Sequence, residues 1–181
     1  MDIQAFQITK TKNIETTFQA GTLDELTRSL PQGFYTTFTT ISAGKKVMGL
    51  RAHLRRLYAP AQESGLTPAV DELTLRARIA QLVEANLPRE SRVRLILTKD
   101  AGKIYVGIQP SATLPAEVYQ QGVHVITTLA ARHDPRIKDT GFITESAEQR
   151  KQLSKNIFEV LLTQDGKILE GMTSNFYVIA R

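Results

Sequence analysis

Lys138 sits in the segment Asp134-Pro135-Arg136-Ile137-Lys138-Asp139-Thr140, just after a proline-broken loop. Glu170 lies thirty-two positions later, in Asp165-Gly166-Lys167-Ile168-Leu169-Glu170-Gly171-Met172-Thr173-Ser174-Asn175-Phe176. A lysine amine attacks a carbonyl carbon only when neutral, so a reactive lysine must be partly desolvated. Arg56, in His53-Leu54-Arg55-Arg56-Leu57-Tyr58, offers a guanidinium fork whose geometry and charge suit a phosphate dianion. Each residue also has an ordinary reading: Lys138 as a surface lysine, Glu170 as an exposed strand acid, and Tyr35 as a core aromatic.

Particular elements must position these groups. Asp165-Gly166 reads as a hairpin turn that delivers Glu170 on a strand into a small polar loop. Thr22 caps a short helix, with Glu25 three residues on completing a capping box, and Pro31-Gln32-Gly33 ends it. The Tyr, Phe and Thr content from Phe34 to Ile41 predicts a strand, and Ala43-Gly44-Lys45 turns it into a second short one. From Arg51, the residues Leu54, Leu57, Tyr58 and Ala61 recur at helical spacing, and Pro60 is expected to kink or end that helix. A further helix is predicted from about Asp71 to Leu87, with Leu73, Ala77, Ala80, Val83 and Leu87 on one face and Pro88 as the stop. Arg92–Thr98 and Lys103–Ile108 form a hairpin around Asp100-Ala101-Gly102. Residues 1–115 therefore read as an α+β domain, helices against an antiparallel sheet, and Gln109–Pro115 as a linker. Residues 116–181 open a second domain: a strand from Val123 to Leu129, a polar stretch from Glu145 to Lys155, and a hairpin of Ile157–Thr163 with Ile168–Ile179. That is too little to close a domain of ordinary size, so the larger domain reads as truncated at its C-terminus.

From about Gly33 onward, Gly33-Phe34-Tyr35, the His53–Tyr58 motif and the Lys138 and Glu170 segments resemble the class IV, or fold-type IV, pyridoxal-phosphate aminotransferases. That group includes branched-chain and D-amino-acid transaminases and aminodeoxychorismate lyase. The resemblance implies a two-domain enzyme using pyridoxal 5′-phosphate, which needs an amine, an acid facing its ring nitrogen and contacts for its phosphate. Lys138 matches the Schiff-base lysine and general base, Glu170 the acid at the ring nitrogen, and Arg56 the phosphate-binding arginine. Tyr35 matches a tyrosine on the cofactor side of the first sheet that can contact the substrate carboxylate. Thr173, Ser174 and Asn175 would bring hydroxyl and backbone N–H groups near the phosphate or substrate carboxylate. Arg55 points about 100° away from Arg56 and reads as a solvated charge. His53 falls where relatives often carry histidine and reads as structural; His124 and His133 are assigned no role.

The chain departs from the family at named places. The helix Thr22–Leu30 replaces an acidic, glycine-rich loop, and Met172-Thr173 replaces small serines. Thr98-Lys99-Asp100 stands where D-specific enzymes carry an arginine, which argues against D-specificity because lysine lacks a bidentate fork. Phe142 occupies the place of a tyrosine common in branched-chain enzymes. The implied activity is amino-group transfer between an amino acid and a 2-oxo acid, in a homodimer. The alternatives are pyruvate elimination of the aminodeoxychorismate lyase kind, and a non-catalytic remnant of the fold.

Composition narrows the classes. The 181 residues include 23 basic and 18 acidic ones, giving a net charge of +5, but no basic run exceeds Arg55-Arg56 or Lys45-Lys46. Nucleic-acid binding is therefore not expected, and attraction for small anions accounts for the charge. With no cysteine there are neither disulfides nor thiolate metal sites, and no metal is expected. No signal segment or membrane span is read, so the expected compartment is the cytoplasm. A chain ending at Arg181 would leave Val160, Leu162, Val178 and Ile179 short of partners. Self-association or a second polypeptide is therefore expected.

Overall fold

The computed structural model describes residues 3–18, 20–131, 137–154 and 156–179. His133, Asp134, Pro135, Arg136, Lys155 and Arg181 lie outside the described residues. The chain divides into two compact units, Met1–Ala112 with Arg136–Ile143, and Thr113–Pro135 with Thr144–Arg181. The first division falls within the expected linker. The segment carrying Lys138, expected in the second domain, groups with the first unit.

The first unit contains β1 (Gln4–Ile8), β2 (Asn13–Glu15), α1 (Leu23–Arg28), β3 (Gly33–Ile41), β4 (Lys46–Val47), α2 (Leu50–Glu63), α3 (Glu72–Glu84), β5 (Ser91–Thr98) and β6 (Ile104–Pro110). Its sheet runs β2-β1-β6-β5-β3-β4, antiparallel at every pairing. β1 and β2 are strands beyond those read from the sequence; β1 docks along β6 and buries Ala5 and Ile8. Strand alternation sends side chains to two cores. Phe34 and Phe38 of β3 pack with Leu54, Leu57 and Ala61 of α2 and Leu75 and Ile79 of α3. Tyr35 packs on the opposite side, with Leu26, Leu30, Ile96 and Ile143.

Local chemistry explains most of the element ends. Thr22 accepts from the Glu25 N–H at 3.1 Å, and the Glu25 carboxylate accepts from the Thr22 N–H at 3.2 Å, the capping box expected for α1. Asp71 caps α3 by accepting from the Thr74 N–H at 2.8 Å. The α3 face differs from the one expected. Leu75, Ile79, Leu82 and Val83 are buried, whereas Leu73, Ala77 and Ala80 are exposed. The buried stripe carries more apolar volume than one interrupted by two alanines, so it wins the core. Of the two outcomes expected at Pro60, the helix does not end there: α2 runs through it to Glu63. Proline removes the bond to the carbonyl four residues earlier and crowds that carbonyl, and burial of Leu57, Tyr58 and Ala61 offsets the cost.

The second unit holds α4 (Ala116–Gln121), β7 (Val125–Leu129), α6 (Ala147–Arg150), β8 (Glu159–Gln164) and β9 (Lys167–Gly171), while α5 (Gly141–Glu145) straddles the division. β8 pairs parallel to β7 and antiparallel to β9. Asp165 and Gly166 both have positive φ, at 51° and 70°, the conformation a two-residue hairpin turn requires. β9 ends at Gly171 rather than continuing to Ile179: the Met172 N–H still bonds the Val160 carbonyl at 2.9 Å, and Thr173 then turns onto Glu159. Val160 and Leu162 are fully buried, so those two do not lack partners as expected; Val178 and Ile179 are exposed.

Gly33 is the tightest point of the sheet. A β-carbon there would lie 2.0 Å from the Leu97 carbonyl oxygen, on backbone that cannot move away alone. Gly33→Ala should therefore lower stability by about 1–3 kcal/mol, the range for overpacking a filled interior. Urea unfolding read by circular dichroism checks this; an unshifted midpoint would show that β3 and β5 can separate at no cost.

Candidate active site

Lys138 is held by its backbone. The Tyr35 N–H donates to the Lys138 carbonyl at 2.8 Å, and the Thr140 N–H donates to the Gly33 carbonyl at 2.8 Å. The buried Thr140 hydroxyl accepts from the Gly33 N–H at 2.8 Å, and Phe34 and Asp139 form an isolated antiparallel bridge. Residues 138–140 thus act as a short extra strand against the start of β3. From this anchor the Lys138 ammonium lies 5.8 Å from the centre of the Tyr35 ring, a cation–π distance. Asp139 contributes twice more, accepting from the Gly141 N–H at 2.7 Å and pairing with Lys99. Lys99 also lies 4.8 Å from the centre of the Phe34 ring.

Tyr35 is buried, with the Arg94 guanidinium 5.2 Å from its ring centre. Arg94 is itself fixed by Asp24 at 2.6 Å, Thr27 at 3.1 Å and Thr37 at 2.9 Å. α2 adds a second group of residues. Arg55 is exposed and Arg56 half-buried, as a 100° step between neighbours requires. His53, one turn before Arg56, has its Nδ1 2.7 Å from the hydroxyl of the fully buried Thr36 and packs against Phe38. Burial pushes the His53 ring below its ordinary value, and the positive charges of Arg56 and then Lys138 push it further the same way. All three groups therefore share one electrostatic neighbourhood. The sequence read His53 as structural, and its three-residue spacing from Arg56 puts both on one helix face.

In the second unit, Glu170 is half-buried near the end of β9, opposite Leu162. Thr173, Ser174 and Asn175 are exposed. Thr173 donates both its N–H, at 3.1 Å, and its hydroxyl, at 2.8 Å, to the Glu159 carboxylate. Its N–H and hydroxyl donors are spent there. His124 is exposed, and among the described residues no cluster of three or more His, Cys, Asp or Glu side chains could hold a metal ion. Nor, among them, is any helix long and apolar enough to cross a membrane.

The family model described as Amino-transferase class IV matches residues 33–181. The chain belongs to the class IV aminotransferases. It is 28% identical over 145 residues to a D-alanine aminotransferase from Bacillus licheniformis, covering 71% of this chain and 50% of that protein. A fold IV transaminase from Curtobacterium pusillum superposes with a TM-score of 0.64 at 22% identity, over 94% of this chain and 67% of that one. A hypothetical aminotransferase from Mycobacterium tuberculosis, in its PLP-bound form, gives 0.63 at 22% identity over 93% and 65%. At such identities the solved structures establish the fold alone. The chain spans half the length of the curated relative it matches.

His53 supplies a pH-dependent readout of the site. Its lowered value means that the unfolded chain binds more protons than the folded one between that value and 6.5. The His53 contribution to stability is thus fully present above pH 6.5 and is lost as pH falls through the lowered value. An NMR titration of the ring should give a midpoint below 6.5, and Arg56→Met and Lys138→Met should each raise it. A midpoint unmoved by either change would remove both charges from the ring's surroundings.

Proposed function

We propose that this chain binds pyridoxal 5′-phosphate and carries out amino-group transfer between an amino acid and a 2-oxo acid. The observation that supports this best is the pinned Lys138 backbone, with the amine beside Tyr35. The residues present fit the cofactor's needs: an amine on a fixed main chain, a guanidinium one turn from a buried-side histidine, and an acid ahead of a polar loop. When bound, the cofactor supplies an electron sink for the carbanion left at the substrate α-carbon.

The chain's own residues do the rest. Lys138 would hold the cofactor through its Nζ, and its amine would move the proton at the substrate α-carbon as base and acid. Arg56 would hold the phosphate with its fork, and Ser174 and Asn175 would offer hydroxyl, amide and backbone N–H groups to the phosphate or substrate carboxylate, with Thr173 shaping their loop. The Glu170 carboxylate would keep a proton on the cofactor's ring nitrogen. Tyr35 lines the cofactor side of the sheet and meets the substrate carboxylate. Unit one serves as the small domain and unit two belongs to the larger one, in a cytoplasmic homodimer.

Borohydride fixation of added pyridoxal phosphate, followed by peptide mapping, should label Lys138; label on Lys99 or Lys151 instead would sink the assignment. Assaying 2-oxo-acid-dependent transfer beside pyruvate release from 4-amino-4-deoxychorismate separates transaminase from lyase chemistry. Arg56→Ala should weaken cofactor binding roughly ten- to a hundredfold, the loss of one charge-assisted contact worth about 1.5–3 kcal/mol. Arg55→Ala should change it little. Equal effects in a cofactor titration would mean that the wrong helix face has been chosen.

A further inference from the structure

Glu159 opens β8 in the run Glu159-Val160-Leu161-Leu162, and all four residues are buried. Glu159 itself is only 3% exposed. A carboxylate taken out of water is strongly disfavoured unless donors replace the lost hydration. Three do so here: the Val160 N–H meets Oε1 at 2.9 Å, and the Thr173 N–H and hydroxyl meet Oε2 at 3.1 and 2.8 Å. Both oxygens are therefore used as acceptors. Glutamine could not replace it without turning an NH₂ group toward an N–H donor.

Two of those donors belong to the residue three positions beyond Glu170. Between them the chain is compressed: a β-carbon on Gly171 would lie 2.5 Å from Ser174 Oγ and 3.1 Å from Glu159 Oε2. The Met172 N–H bonds the Val160 carbonyl at 2.9 Å, and Met172 is buried. The turn following Glu170 is thus tied at two points to the first two residues of β8.

We propose that Glu159 is a positioning residue for Glu170: by clamping Thr173 it fixes the Gly171–Ser174 turn and thereby the direction in which β9 presents the Glu170 carboxylate. The clamp itself is independent of any cofactor; its value to catalysis rests on the ring-nitrogen role proposed above for Glu170. The clamp also decides which loop groups are available to an anion, since a Thr173 hydroxyl that donates to Glu159 can only accept from anything else.

The test uses the full chain without cofactor, in the parent, Glu159→Gln and Thr173→Val. NMR reads the hydrogen exchange of the Thr173 amide and the pH titration of the Glu170 side-chain carboxyl carbon. Loss of a hydrogen bond to a charged group should speed exchange at Thr173 by about tenfold or more in Glu159→Gln. Glu170's titration should move in both variants. Thr173→Val matters because it loosens the clamp without changing any charge. A Glu170 titration that moves only in Glu159→Gln would reflect the lost charge alone and overturn the proposal, as would unchanged curves in both. If Glu159→Gln does not fold, Thr173→Val decides by the same two readouts. Borohydride labelling of Lys138 in the parent tests the cofactor reading separately. Its failure would leave the clamp to be judged on exchange and titration.

Discussion

The first unit's candidate site rests on one short main-chain pairing, residues 138–140 against the first residues of β3. Three hydrogen bonds of 2.8 Å carry it, and one uses the Thr140 hydroxyl in place of a backbone acceptor. A long flexible side chain gains little precision from its own rotamers, so fixing its Cα is the more effective way to aim an amine. Gly33 lies at the centre of this arrangement. It has to pass close to Leu97 on one side while offering both of its backbone polar groups to Thr140 on the other. Only a residue without a side chain satisfies both demands.

Charge is arranged around that pairing in layers. Arg94, on the Tyr35 side, is neutralised by Asp24 and held by two threonine hydroxyls, and so acts as a fixed part of the core. Lys99 is matched with Asp139 and covers Phe34. Burial first, and then the positive charges of Arg56 and Lys138, disfavour the His53 cation. The net charge of +5 is therefore less informative than where its few half-buried members stand.

Much of this was legible before any coordinates. Thr22 with Glu25, the β-rich run after Gly33, the Asp165-Gly166 turn and the α2 stripe all have local causes, so local pattern was enough. The α3 face was misread because Leu73, Ala77, Ala80, Val83 and Leu87 keep helical spacing as well as the true stripe does; only the volume of the opposing core chooses between them. β1 was missed because its value lies in the free edge of β6, a partner far away in sequence. Lys138 and Glu170 stood out through their setting and spacing. Glu159 did not, although an acid at the head of Val-Leu-Leu is a signal: something must make its burial worthwhile. The Lys138 segment's attachment to β3 is likewise a long-range fact that no local pattern encodes.

Pro60 ties two of these threads together. Having no N–H, Pro60 cannot donate to the Arg56 carbonyl, so the turn carrying the guanidinium lacks one rung of the usual backbone ladder. What keeps that turn in shape is the pressure of Leu57, Tyr58 and Ala61 on the interior. Arg56 is thus steered by oil rather than by amide bonds. A slackening of the core that left the rest of α2 wound would already show in where that guanidinium points.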